Sequence, residues 1–168
     1  YNTKMMYDDG FGKDRWGTDF HVPDITKLET QMFFYYRACK YISIGIEGLH
    51  LGQTGLMGKK DEGNACWERV VRLIRAYAAE NSPRHYVIIN SHGGNNFVDS
   101  SGAAMTDFIA SPSRIEVATA RPATNGNPQK VDIFPGRDWG CGDNYTPDLK
   151  KRVGRSPSGW ETERYPYL

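Results

Sequence analysis

Residues 84–95 constrain the fold of this chain more than any other stretch. The middle reads Tyr-Val-Ile-Ile at residues 86–89, and the absence of polar alternation there is typical of a strand buried on both faces. The stretch ends in Asn-Ser-His-Gly-Gly-Asn at residues 90–95, which combines hydrogen-bonding side chains with glycines that let a ligand approach the backbone. Because α/β sheets and barrels place their sites at such strand ends, we expect Asn90 and His92 to line a pocket. The alternative is that both side chains cap a turn.

A helix and a short strand are predicted before this stretch. Apolar residues recur every three or four positions from residue 28 to residue 42, which predicts a helix with one apolar face. That face consists of Leu28, Met32, Tyr35, Cys39 and Ile42. The pattern Thr-x-x-Glu at residues 26–29 predicts a capping box at the start of the helix, and Gly45 is placed to end it. Residues 46–53 then predict a strand that ends at Gln53.

A second helix is predicted over residues 65–80, after a glycine-rich loop at residues 54–64. Asn64 is placed to cap this helix. Its buried stripe consists of Trp67, Val70, Val71, Ile74, Tyr77 and Ala78. Because a helix separates the two predicted strands, we expect them to be parallel neighbours joined by a right-handed crossover.

These elements predict an α/β fold with parallel strands and crossover helices. A complete (β/α) barrel needs about 250 residues, so the 168 residues of this chain predict a single α/β domain or a segment of a larger barrel. Residues 1–25 form a predicted arm, and residues 26–95 form the predicted αβαβ unit. Residues 96–168 form an irregular part rich in loops and short strands, with a hairpin turn predicted at residues 99–102.

Charge and hydropathy argue against two classes of partner. The chain has 21 Lys and Arg against 20 Asp and Glu, so no overall field attracts nucleic acid or an anionic membrane. No apolar run approaches the roughly 18 residues that span a bilayer, and we expect a soluble protein. Because the chain begins at Tyr1 without an initiator Met, we expect a processed protein or a segment of a longer one.

The three cysteines do not indicate a metal site or a redox compartment. Cys39, Cys66 and Cys141 are far apart and lack the close spacing of zinc ligands. Cys39 and Cys66 fall in the two predicted helices, where we expect them to be small buried hydrophobic residues. The first expectation is therefore a protein without a resident cofactor.

Four segments together carry a family resemblance. They are Met-Phe-Phe-Tyr-Tyr at residues 32–36, Glu-Gly-Leu-His-Leu-Gly-Gln at residues 47–53, residues 72–79 with Arg-His at residues 84–85, and Ser-Gly-Trp-x-x-Glu-x-x-Pro-Tyr-Leu at residues 158–168. This pattern resembles uncharacterised bacterial proteins that look like glycoside hydrolases of the (β/α)-barrel type. The resemblance implies a carbohydrate-active protein that binds a glycan, or another small polar substrate, at the C-terminal ends of its parallel strands. It also implies that the remainder of the barrel lies outside this chain.

Cleavage of a glycosidic bond needs two carboxyl groups that face each other across the sugar. The two predicted strand ends lack carboxylates, so the acids would have to come from later segments. Asp132 and Glu163 are the best placed, and His92 is the third catalytic candidate. Each acid also has a simpler interpretation, since Glu163 can be a surface charge and Asp132 a strand-end cap.

Candidate substrate-binding residues come from strand ends and from aromatic loops. They are His50, Gln53, Asn90, Arg137, Trp139, Trp160 and Trp16. The first three can hydrogen-bond to sugar hydroxyls, Arg137 can form bidentate hydrogen bonds, and the three tryptophans can stack on the sugar ring. Two of them have simpler interpretations, because Arg137 can form a solvent-facing charge pair and His50 can be a hydrogen-bonded core histidine.

Residues 90–95 also carry a second resemblance, together with Gly-Thr-Asp at residues 17–19. They are similar to the creatininase family of metal-dependent amidohydrolases, in which a strand ends in Asn-Gly-His-Gly-Gly-Asn and an earlier Gly-Thr-Asp supplies a metal ligand. Five of the six positions match, but residues 1–16 contain neither the Glu nor the His ligands of that family. A divalent metal such as zinc or manganese would recruit Asp19, His21 and His92, with Asp24 as a further candidate. A glycan-binding or structural module without catalysis is the remaining alternative.

Overall fold

The structure, a computed structural model, describes residues 1–92 and 97–109. In chain order its elements are helix α1 (Leu28–Ser43), strand β1 (Gly48–His50), the short helix α2 (Thr54–Met57), helix α3 (Ala65–Asn81), strand β2 (Ile88–Ser91) and strand β3 (Phe108–Ile109). Single turns of 3-10 helix occupy Thr3–Met5 and Glu62–Asn64. The segment at residues 54–64, which we expected to be a loop, therefore contains helical turns.

The three strands form one parallel sheet in the order β1-β2-β3. His50 lies opposite Asn90, and Asn90 lies opposite Phe108 on the other side. The predicted parallel pairing of the first two strands is confirmed. β1 ends before Gln53, because Gly52 has a φ of 75° and turns the chain away from the sheet. The sequence does not predict β3, since two residues are too short to show a periodic signal.

Both long helices pack on the same face of the sheet. Leu49 and Ile89 point to that face and join a core cluster that contains side chains from α1 and α3. On the opposite face His50 is exposed, and Ile88 and Asn90 are half-buried. The prediction that residues 86–89 are buried on both faces is therefore wrong for the described part of the chain, where burial alternates along the strand.

Helix α1 follows its predicted apolar face only in its second half. Leu28 is 68% exposed and Met32 is 51% exposed, whereas Gln31 and Ile42 are buried. The Gln31 amide is tolerated there because its Nε2 donates a hydrogen bond to the backbone oxygen of Ile25. The arm thus covers a polar part of the helix, and hydrophobic periodicity does not reveal it.

The two ends of α1 differ in how well the sequence predicts them. The capping box does not form, since the helix begins at Leu28 without a side-chain cap and Glu29 instead accepts a hydrogen bond from the Asn2 backbone. At the other end, Gly45 has a φ of 89° and its N–H donates to the Ile42 carbonyl. This is a glycine-terminated helix end, as predicted.

Helix α3 buries its predicted stripe against the core, with Tyr77 half-buried. Its cap is not Asn64, whose amide donates to the Val98 backbone. The two carboxylate oxygens of the buried Asp61 accept hydrogen bonds from the N–H groups of Cys66 and Trp67. An acceptor before the first turn satisfies N–H groups that have no partner within the helix.

Residues 97–105 form the predicted hairpin. Val98 and Ala104 make an antiparallel bridge, and the turn between them is closed by a hydrogen bond from Gly102 N to Asp99 O. After the hairpin, the carboxylate of Asp107 pairs with Arg75 of α3 at 3.0 Å. Among the described residues, no helix has both the length and the apolar character needed to cross a bilayer.

Candidate functional site

Three polar side chains meet at the carboxyl ends of β1 and β2. The Nδ1 atom of His50 lies 2.8 Å from Oδ1 of Asn90, its partner in the sheet register. The ring of His92 packs edge-on against the His50 ring, with 4.5 Å between centroids. The backbone N–H of His92 donates to the Gly52 carbonyl at 2.8 Å, which joins the two chain segments just beyond the strands. These residues lie close together, but the prediction that Asn90 and His92 line a pocket is not confirmed, since only His50 and Gln53 of the predicted strand-end residues are among the described lining residues of the adjacent cavity.

The contact with Asn90 occupies one ring nitrogen of His50, Nδ1, which is the donor when the amide oxygen accepts. The second ring nitrogen, Nε2, is outside this contact and can hydrogen-bond to a bound molecule. Because the ring is exposed and lies on the face opposite the helices, the core-histidine interpretation of His50 is wrong.

A cavity of about 320 Å³ opens beside His50. Its polar lining residues are His50, Gln53 and Arg37, and its aromatic lining residues are Trp16 and Phe34. The remaining lining residues are Val22, Pro23, Leu51, Gly52, Leu56 and Met57. Apolar walls with a few convergent polar groups are typical of sites for small molecules.

The arm forms one wall of this cavity because its backbone folds tightly on itself. The N–H of Val22 donates to the carbonyl of Gly12 at 2.7 Å. A Cβ atom at Gly12 would lie 2.3 Å from the Val22 carbonyl oxygen, so this close approach requires glycine. Between these residues the N–H of Trp16 donates to the Phe20 carbonyl, and the indole, 57% exposed, faces the cavity.

Buried hydrogen bonds beneath the strand ends fix the position of Gln53. Ser91 points to the core side of β2, and its hydroxyl accepts a hydrogen bond from Thr54 at 3.3 Å. The indole N–H of Trp67 donates to the Thr54 carbonyl at 3.1 Å. Because Thr54 is the first residue of α2 and fully buried, these contacts hold the adjacent Gln53 at the cavity.

Arg37 and Phe34 line the cavity but are not among the residues that the sequence predicts for the site. Both lie on α1, in a run of aromatic residues that has the composition of a core helix. They are three positions apart, so a helix places them side by side. The sequence signal for the buried face beside them is weak, because that face includes Thr30 and Gln31.

The structure brings together only some of the predicted metal ligands. Asp19 and His21 lie close together with Asp14, and the potential ligand atoms of these three residues are within 4.8 Å of one another. His92 and Asp24 are not members of this group, and Asp24 instead accepts hydrogen bonds from the backbone and hydroxyl of Thr26.

Hydrogen bonds within the arm explain why Asp14, Asp19 and His21 lie close together. Asp14 N donates to Nδ1 of His21, and Asp19 N donates to the carboxylate of Asp14. Asp14 and Asp19 are exposed and His21 is half-buried, and all three belong to one turn-rich segment.

The described cysteines do not supply a nucleophile. Cys39 and Cys66 are free thiols, half-buried on α1 and α3. Burial raises the pKa of the Cys39 thiol, and burial together with the Asp61 carboxylate raises the pKa of Cys66. Raised pKa values keep both thiols protonated and weakly reactive near neutral pH. Their predicted location in the two helices is confirmed.

The other predicted site residues lie outside the described part of the chain. They are Asp132, Arg137, Trp139, Trp160 and Glu163. Their roles in catalysis and substrate binding therefore stay predictions. Comparisons of the chain with models of protein families, with curated proteins and with solved structures find no match.

Proposed function

We propose that this protein is carbohydrate-active and binds a saccharide in the cavity at the carboxyl ends of β1 and β2. The observation that carries the proposal is the His50–Asn90 hydrogen bond across paired strand ends, beside a cavity with an aromatic wall. Neighbouring strand ends are where α/β proteins gather binding groups, because side chains from separate parts of the chain converge there.

The chemistry of the cavity matches that of a sugar ring. Sugar hydroxyls need both donors and acceptors, which the Gln53 amide and the free nitrogen of His50 supply. The apolar C–H face of a sugar needs a flat aromatic surface, which the exposed indole of Trp16 offers. The volume of about 320 Å³ lies at the lower end of ligand cavities and fits a single ring better than a long chain.

A glycoside-hydrolase-like barrel is our proposal for the complete fold. Its support is that both long helices cover one face of a parallel sheet, as in a barrel wall, whereas doubly wound sheets carry helices on both faces. In this proposal Asp132 and Glu163 supply the acid pair, with carboxyl groups about 5 to 9.5 Å apart. Asp132→Asn and Glu163→Gln should each abolish glycoside hydrolysis and leave saccharide binding intact.

Calorimetric titration with a panel of monosaccharides and methyl glycosides tests the binding site. Trp16→Ala and Gln53→Ala should each weaken binding by about tenfold, because each removes a contact with the ring. The matched control is Phe20→Ala, which removes an aromatic side chain that is 67% exposed in the same arm and does not line the cavity. No binding to any saccharide, or equal losses for Trp16→Ala and Phe20→Ala, would refute the proposal.

A metal-dependent amidohydrolase is the second proposal, favoured by the adjacent imidazoles of His50 and His92. Imidazole is a preferred ligand of zinc, and two rings on neighbouring strands can contribute to one site. Metal analysis of the purified protein tests this function. Stoichiometric zinc or manganese that is lost in His92→Ala would support it, and a metal-free, active protein would rule it out. Glycan binding without turnover would instead favour a non-catalytic module.

A further inference from the structure

The cavity beside His50 contains a guanidinium group without an acidic partner in the described chain. Arg37 lines the cavity, and its Cζ atom lies 5.1 Å from the centre of the Phe33 ring and 5.8 Å from that of Tyr41. Among residues 1–92 and 97–109, the cations that form ion pairs are Lys13, His21, Lys60, Arg75 and Arg84. Arg37 is not one of them.

Among the described lining residues of the cavity, the charge is positive. The described lining residues include no Asp and no Glu. A second guanidinium, that of Arg15, lies 5.9 Å from the centre of the Trp16 ring at the wall of the cavity. Concave surfaces with charge of one sign concentrate ligands of the opposite sign, since the low-dielectric walls focus the field.

The aromatic contacts of Arg37 hold its guanidinium group in a position to bind an anion. The Cζ atom of Arg37 lies over the rings of Phe33 and Tyr41, and these cation–π contacts use none of the N–H donors of the guanidinium. Two parallel N–H donors match the geometry of a carboxylate or a phosphate, and a held guanidinium loses less conformational freedom on binding. A neutral sugar would not use this feature of the cavity.

We propose that the saccharide recognised here carries an anionic group, a carboxylate or a phosphate ester, that pairs with Arg37. This inference rests on the proposed saccharide-binding function and narrows its substrate class to acidic sugars. Trp16 and Gln53 bind the ring, and Arg37 selects the charged substituent.

Titration with paired sugars tests the inference. The pairs are glucuronate with glucose and galacturonate with galactose. The 6-phosphate of each neutral sugar is titrated as a second anionic ligand. For at least one pair the anionic sugar should bind about tenfold more tightly than the neutral one at low ionic strength. Added salt should reduce this preference, because a partly exposed charge pair is screened. The tighter of the carboxylate and phosphate ligands identifies the natural anionic group.

Arg37→Met removes the charge and keeps most of the apolar stem that packs on the aromatic rings. It should abolish the preference for the anionic sugar and change the affinity for the neutral sugar by less than about twofold. Arg37→Lys, which retains charge without the bidentate geometry, should keep part of the preference. The matched control is Arg72→Met on α3, which should behave as the wild type because Arg72 does not line this cavity.

The outcomes separate the inference from the function on which it rests. Equal affinities for neutral and anionic sugars in the wild type, or a preference that survives in both Arg37 variants, would overturn the inference and leave saccharide binding in place. Failure of every sugar to bind the wild type would refute the proposed function, and the inference with it. Thermal unfolding of each variant identifies losses that result from misfolding.

Discussion

At the scale of single residues, Gly58 is a position where the packing leaves no room for a side chain. A Cβ atom there would lie 3.0 Å from the Thr54 carbonyl oxygen and 3.0 Å from two atoms of the Trp67 ring. Because Trp67 is fully buried, it cannot move aside without disturbing the core. We expect Gly58→Ala to lower the free energy of unfolding by about 1 to 3 kcal/mol, measured by urea denaturation.

The control for this prediction is Gly55→Ala, in the same short helix region. A Cβ atom at Gly55 meets nothing within 4 Å, and alanine favours helical backbone. This variant should be as stable as the wild type or slightly more stable. An equal loss of stability in both variants would show that Gly58 is not needed for close packing.

The turn at Asp99 makes a contribution to stability that depends on pH. Burial opposes ionisation of Asp99, but hydrogen bonds from the Ser101 side chain and from the Ala103 and Ser101 backbone outweigh it and hold the pKa below the ordinary value of 3.8. A carboxyl with a lowered pKa in the folded state stabilises the fold above its unfolded-state pKa and loses this effect as the pH falls through the folded-state pKa.

Asp99→Ala should therefore be less stable than the wild type at neutral pH, and the difference should shrink below about pH 3.8. Urea denaturation of both proteins at a series of pH values measures this difference. A difference that stays constant from neutral to acidic pH would mean that ionisation of Asp99 does not stabilise the turn.

At the scale of secondary-structure elements, the orientation of α1 is the clearest departure from the sequence prediction. Ile42 is 1% exposed at the core, whereas Leu28 is 68% exposed although both belong to the predicted apolar face. Ile42→Ala should cost about 2 to 5 kcal/mol of unfolding free energy. Leu28→Ala should cost less than about 0.5 kcal/mol. Similar losses for the two variants would mean that the helix is buried along the predicted face.

The reason for this departure lies in contacts that are distant in sequence. The Thr30 hydroxyl, on the buried face, donates to the carbonyl of Met6, 24 residues earlier in the chain. Such hydrogen bonds allow polar residues to be buried, and no local pattern signals them. The candidate site, too, is predicted by the sequence only in part. The sequence predicts that Asn90 and His92 end a strand beside another strand end, but it does not predict that α1 brings Arg37 to the same cavity.

A buried ion pair joins three elements of the described chain. The carboxylate of Asp107, fully buried, accepts hydrogen bonds from Arg75 of α3 at 3.0 Å and from Ile89 N of β2 at 2.8 Å. Asp107 directly precedes β3, so the pair fixes the position of that strand. Removing one partner of a buried pair leaves the other charge without compensation.

Asp107→Ala should therefore lower the free energy of unfolding by about 3 kcal/mol or more. The control is Asp9→Ala, since the Asp9 side chain is 87% exposed and pairs with Lys13 at 3.7 Å. The control should lose less than about 0.5 kcal/mol, as exposed pairs contribute little. Urea denaturation compares the two, and a loss in Asp107→Ala as small as in the control would contradict the role of the ion pair.

At the scale of the whole molecule, one face of the sheet stabilises the fold and the carboxyl ends of the strands carry the proposed function. Helices α1 and α3 bury the side of the sheet that contains Leu49 and Ile89. The cavity lies at the carboxyl end of β1, where residues of the arm, α1 and α2 line it together with His50. The sequence predicts the parallel pairing because a helix of clear periodicity separates two strand-like runs. It does not predict the path of the arm, which depends on tight turns and on single backbone hydrogen bonds.

The central claim is that the ends of β1 and β2 form a saccharide site, and the imidazole NMR signals of the four histidines test it most directly. On titration with the sugar panel, the signal of His50, which lines the cavity, should shift in a saturable manner, and the signal of His92 should follow because its ring packs against the His50 ring. The signal of His85 should not, because its ring contacts the Ala79 carbonyl near the end of α3 and does not line the cavity. Unchanged His50 and His92 signals in the presence of a sugar that calorimetry shows to be bound would contradict the account.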